Sequence, residues 1–195
     1  MLYWLSDYEA FNLFRYITVR AGCAFLTALF FGFIFGRPLI NVLRKRQGKG
    51  QPIREDGPQG HFAKAGTPTM GGLLIVGALL TSTLLWARLD NPFIWIIMFV
   101  TMSFAAIGFA DDYAKVSKQT TTGVSSKVRL LLGFVIAGIA SYLATLAHPE
   151  QLQYQLAVPV FKDVLINLGF LYIPFAMIVI VGAANAVNLT DGLDG

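Results

Sequence analysis

The chain has 195 residues, 55% of them hydrophobic and only 13% charged, with a formal net charge of +4 at pH 7. Soluble domains carry about 25% charged residues, so this balance excludes an ordinary water-soluble globule and points to an integral membrane protein. The pI of 9.3 does not argue for a nucleic-acid partner, because the lysines and arginines fall between apolar runs, where membrane orientation accounts for them.

In chain order, residues 1–20 are mixed, with Asp7, Glu9, Arg15 and Arg20, and show no cleavable signal pattern. Five apolar runs of about 20 residues, enough to cross a bilayer, follow at 21–43, 71–87, 92–110, 130–147 and 168–188. Lipid offers no hydrogen bonds to a bare backbone, so these spans should be helices. The fold class expected is an all-α integral membrane protein, residues 1–195 forming one membrane domain with five transmembrane helices. Pro174 is expected to kink the fifth. The lone Cys23 lies within the first run, where it packs and cannot pair within the chain.

Orientation follows from the basic residues. The connector 44–70 holds Arg44, Lys45, Arg46, Lys49, Arg54 and Lys64, and 111–129 holds Lys115, Lys118, Lys127 and Arg129. The opposite side has only Arg15, Arg20, Arg88 and Lys162. Ten against four places the N-terminus outside (periplasmic) and both basic loops in the cytoplasm; the first loop would also touch anionic lipid headgroups. Five crossings then bring the end of the fifth run to the cytoplasmic face as well. Three polar clusters, distant in sequence, share that face.

The first cluster is "GFADDYAK". Asp111 and Asp112 stand at the end of the third span, and on a continuing helix Lys115 shares a face with both. Adjacent carboxylates repel unless a cation, a proton or a basic partner offsets them. A Mg²⁺ or general-base site meets that need, because hard carboxylate oxygens suit Mg²⁺ together with substrate phosphates; a solvated helix end with an intrahelical ion pair meets it too. The second cluster is the closing "NAVNLTDGLDG", where Asn185, Asn188, Asp191 and Asp194 recur every three residues. Capping explains a glycine and one asparagine there. It does not explain two acids at the negative end of a helix dipole, and the oxygens suit a metal–phosphate or nucleotide site. Gly192 and Gly195 are expected to let the backbone leave the helix. The third cluster, "HFAKAGTPTMGG" at 61–72, offers Lys64, Thr67 and Thr69 to a phosphate without resembling a Walker loop. His61 and His148 have no partners at metal-ligand spacing and are expected to be surface or loop residues.

Together, "GTPTMGG" at 66–72, "DDYAK" at 111–115 and "NAVNLTDGLDG" at 185–195 resemble the phospho-N-acetylmuramoyl-pentapeptide transferase family. That family is a branch of the polyprenyl-phosphate N-acetylhexosamine-1-phosphate transferases, glycosyltransferase family 4. The resemblance runs from about residue 11 to the end of the chain, and "HFAKAGTPTMGG" favours the muramoyl-pentapeptide branch. It implies a ten-helix enzyme of the bacterial inner membrane with its site facing the cytoplasm. That enzyme, a possible homodimer, transfers phospho-N-acetylmuramoyl-pentapeptide from its UDP-linked donor to undecaprenyl phosphate, giving lipid I and UMP in peptidoglycan synthesis. The roles it implies are Asp111 or Asp112 as catalytic acids tuned by Lys115, Asn188 as a Mg²⁺ ligand, and Lys64, Thr69, Asn185, Asp191 and Asp194 on the substrates. It also implies a further acidic motif in a second half, so this chain is expected to be an N-terminal half, inactive alone. A sister transferase using UDP-N-acetylglucosamine, or half of a membrane transporter, is the alternative.

Overall fold

The computed structural model describes residues 2–47, 68–120, 123–158, 161 and 164–194, in two units, 1–124 and 125–195. The first unit begins with two 3₁₀ segments, Leu2–Asp7 and Glu9–Arg15, and continues with helices α1 (Ile17–Gln47), α2 (Gly72–Trp86) and α3 (Pro92–Lys118). The second contains α4 (Ser126–Ala147), a hairpin of β1 (Gln155–Ala157) and β2 (Leu165–Asn167), and α5 (Tyr172–Asp194).

Among the described residues, four helical segments are long and apolar enough to cross a membrane: Ile17–Gln47, Pro92–Lys118, Ser126–Ala147 and Gly169–Val187. Their large apolar side chains stand exposed, among them Phe25, Phe30, Phe33 and Ile34 on α1. So much apolar surface is incompatible with water and natural against lipid. The protein is an all-α membrane protein. The expected span 71–87 corresponds to α2, whose 15 residues make roughly 22 Å at 1.5 Å per residue, less than the ~30 Å of a bilayer core.

The helix boundaries have local causes. Asn91 caps α3 by accepting from the Phe93 N–H at 3.0 Å, Pro92 occupies the first turn, and Gln119 closes the helix in the left-handed conformation at φ 49°. At 27 residues, α3 is about 40 Å long, so it continues past the expected limit of 110 and carries the "DDYAK" residues on two further turns. Ser125 caps α4 through its hydroxyl. The interior proline is Pro38, within α1. Pro174 instead lies in the first turn of α5, where its missing N–H has no partner to lose, so the expected kink at that position is not its role.

In the first unit α1 packs on α2. Trp86 Nε1 donates to Thr27 Oγ1 at 2.9 Å and Trp86 stacks edge-on against Phe14. The bare face of Gly77 takes the ring of Phe31, whose nearest carbon would stand 3.1 Å from a Cβ there. Arg20, expected only to flank the first span, is 9% exposed. It donates to the carbonyls of Phe14 and Arg15 and lies over the Tyr3 ring, which Arg88 also covers. In the turn between α2 and α3, Arg88 donates to Asp90 at 2.7 Å. That hydrogen bond holds the Asp90 carboxyl below its ordinary range and raises the Arg88 guanidinium.

In the second unit the buried stripe of α4 is made of small residues, Gly133, Ala137, Ala140, Ser141 and Thr145. It lets α5 come close: Met177 reaches Gly138, and Val181 is buried. Between the helices, β1 and β2 pair antiparallel with Leu156 opposite Ile166. Three-residue strands are too short for an alternating pattern to show in the sequence. Helix α5 runs through Gly192 to Asp194, so Gly192 does not release the backbone as expected. One glycine costs a helix about 1 kcal/mol, too little to end it.

Candidate active site

The site is built on the C-terminal extension of α3. Successive residues on a helix point about 100° apart, and this separates the two acids. Asp111 turns toward the loop leading to α4 and is 7% exposed. Its Oδ1 accepts from the Val124 N–H at 2.8 Å, and its Oδ2 meets Lys115 Nζ at 2.6 Å. Asp112 turns toward the segment before α2. Its Oδ2 accepts from Thr69 Oγ1 at 2.9 Å, while its Oδ1 lies 4.0 Å from Lys115 Nζ. The Asp112 side chain is 31% exposed. One lysine therefore stands between two carboxylates that face different ways, closely paired with Asp111 and at longer range from Asp112.

The two acids consequently differ in what they can do. Both oxygens of Asp111 are engaged in holding the structure together. Asp112, partly exposed, keeps lone pairs on Oδ1 beside a cation, the arrangement needed to accept a proton or to ligate a hard cation.

Two further groups complete the network without any motif having marked them. Gln47, the last residue of α1, bonds the backbone of Thr69 through both ends of its amide. Gly123 lies against Asp111: a Cβ there would stand 2.7 Å from the Asp111 Cγ and 3.0 Å from its carbonyl oxygen. Gly123→Ala is expected to cost about 1–3 kcal/mol, because the atoms to be displaced are a paired carboxylate and a backbone. Thermal unfolding of the detergent-solubilised protein measures this, and a melting point equal to wild type would show that the loop moves aside freely. A glycine in the polar "TTTGVSS" was the one available signal.

Of the residues expected in the site, Thr69, Asp111, Asp112 and Lys115 are brought together. The Thr69 hydroxyl, expected on substrate, is bonded to Asp112. Asn185 lies in the second unit, exposed on α5, with its Nδ2 donating to the Val181 carbonyl at 2.8 Å, which leaves its Oδ1 as the acceptor. Asn188, Asp191 and Asp194 continue the same helix at intervals of three, with no basic residue in its last turn; their side chains lie outside the described residues. Lys64 and His61 also lie outside them. Among the described residues no group of three or more His, Cys, Asp or Glu forms a metal cage.

Fold and site thus define a polytopic α-helical membrane protein with a buried acid paired to a part-exposed lysine and a second, part-exposed acid at one helix end. Residues 94–195 match glycosyl transferase family 4, and residues 64–76 match the phospho-N-acetylmuramoyl-pentapeptide-transferase signature 1. The chain belongs to glycosyl transferase family 4. Over 199 residues it is 75% identical to the phospho-N-acetylmuramoyl-pentapeptide-transferase of Ruegeria sp. (strain TM1040) and 73% to that of Ruegeria pomeroyi. It is 68% identical over 200 residues to that of Dinoroseobacter shibae. All of this chain is covered in each comparison, and the chain spans 55% of the length of each of these curated relatives.

Proposed function

We propose that these residues form part of a phospho-N-acetylmuramoyl-pentapeptide transferase of the bacterial inner membrane, its site facing the cytoplasm. The observation that carries the reading is the bond from Thr69, inside the matched signature, to Asp112 on α3. It joins two of the three motifs through a hydrogen bond rather than through likeness alone. The reaction is phosphoryl transfer. A phosphate oxygen of undecaprenyl phosphate forms a bond to the β-phosphorus of the UDP-linked sugar, the bond to UMP breaks, and lipid I is the product. Such chemistry is mostly positioning and neutralisation of charge. Asp112 Oδ1 takes the proton from the lipid phosphate or orients it, and Lys115 adds positive charge beside the phosphates. Asp111 fixes Lys115 and the 123–124 backbone. Lys64 contacts the uridine diphosphate, while Asn185, Asp191 and Asp194 bind the nucleotide.

Mg²⁺ fits this donor set. It uses only one or two carboxylates plus substrate phosphates; the partly exposed Asp112 offers one hard oxygen of that kind, and Asn188, on α5 of the other unit, is proposed as an amide ligand in its own right. When bound, it supplies charge neutralisation on the diphosphate.

The test uses a chain of the relatives' full length containing these residues. Incubation with the UDP-linked muramoyl-pentapeptide and undecaprenyl phosphate is expected to release UMP and form lipid product, and EDTA is expected to stop it. UDP-N-acetylglucosamine is expected to serve poorly; equal turnover would favour the sister transferase reading, and no UMP with either donor would overturn both.

A further inference from the structure

Gln47 closes α1 and is 8% exposed, although it ends a run of three basic residues in which nothing demands burial. Its amide grips one residue at two points. Nε2 donates to the Thr69 carbonyl at 3.0 Å, and Oε1 accepts from the Thr69 N–H at 2.9 Å. Only one orientation of the amide satisfies both bonds. Two bonds to the N and O of one residue fix its rotation about the chain, and with it the direction of its Cα–Cβ bond. That direction carries the hydroxyl which donates to Asp112 Oδ2. The following residue, Met70, sits at a left-handed φ of 69°, which costs a non-glycine residue roughly 1–2 kcal/mol. The turn therefore needs a hold from outside itself, and Gln47 supplies it from 22 residues away.

We infer that Gln47 is a positioning residue for Asp112, acting through Thr69. By aiming the Thr69 hydroxyl at Oδ2 it occupies that oxygen and leaves Oδ1 on the Lys115 side to meet the reacting phosphate. The inference rests on the reading of Asp112 as the reacting acid. An amide suits the task by chemistry as well as reach. Glutamate has no donor for the carbonyl and would add a third negative charge, and lysine has no acceptor for the N–H.

The experiment measures kcat and KM for both substrates in the full-length enzyme. Gln47→Leu is expected to lower kcat about tenfold with both KM values within about twofold of wild type, as for an interaction realised in the transition state. In a Thr69→Val background the same substitution is expected to lower kcat less than about twofold further, because the relay is already cut. Should Gln47→Leu fail to fold, the isosteric Gln47→Glu, which loses the donor half and adds a negative charge while keeping the acceptor, is expected to lower kcat several-fold. Unchanged kcat in the folded variant overturns the inference. So does a rise in KM alone, or a full tenfold loss in the Thr69→Val background. Asp112→Asn, run alongside, separates the two readings. If it is inactive while Gln47→Leu is normal, only the positioning role fails; if it is active, Asp112 itself fails and Gln47 has nothing to position.

Discussion

Asp112→Asn is expected to lower turnover by about 10²- to 10⁴-fold, the usual worth of a positioned proton acceptor, while leaving the protein folded. Asparagine keeps an oxygen for the Thr69 hydroxyl, so the bond at 2.9 Å has a substitute. What disappears is the negative charge and the basic lone pair facing Lys115. Because Asp112 is partly exposed and lies 4.0 Å from Lys115, its loss leaves no buried cation stranded. Thermal stability should stay near wild type. The measurement is kcat with the UDP-linked muramoyl-pentapeptide and undecaprenyl phosphate, alongside a melting curve. Turnover within a few-fold of wild type would remove Asp112 from the chemistry.

Lys115→Met is expected to act on the fold as well as on the reaction. Asp111 is the buried member of the pair, at 2.6 Å from the ammonium. Removing the cation leaves an uncompensated carboxylate, which costs about 3–5 kcal/mol in a fully buried pair. The lysine side chain is 21% exposed, so solvent screening brings the expected loss to the lower end, about 3 kcal/mol. Replacing both partners, Lys115→Met with Asp111→Leu, should recover much of that loss, since no charge is then buried. Melting of the three proteins decides it. A single variant as stable as wild type would show that Asp111 finds its stabilisation elsewhere, from the Val124 N–H and its other partners.

The helices and several of their ends were legible because they depend on local sums. Transfer of about twenty apolar side chains into lipid is decided by composition, and a cap such as Asn91-Pro92 acts on its own first turn. The reach of Lys115 to both Asp111 and Asp112 could be read because the i, i+4 and i, i+3 spacings of a helix are regular. The bond of Gln47 to Thr69 could not be read, because it joins residues 22 apart whose meeting depends on where α1 stops. The same holds for Gly123, whose need for a missing Cβ comes from Asp111 on another element. The place of Pro174 in the first turn of α5 could not be read for a related reason. A proline disturbs a helix according to its distance from the N-terminus, and one residue range decides whether Pro38 or Pro174 is interior.

By itself, then, the amino-acid order determined a helical membrane chain with three polar motifs in sites of chemical interest, because hydropathy and helical period act over short stretches. Which of two neighbouring aspartates is tied into the structure and which stays available for chemistry was decided only by tertiary contact. A carboxylate's chemistry depends on what approaches its two oxygens, and for Asp111 and Asp112 those groups come from different loops.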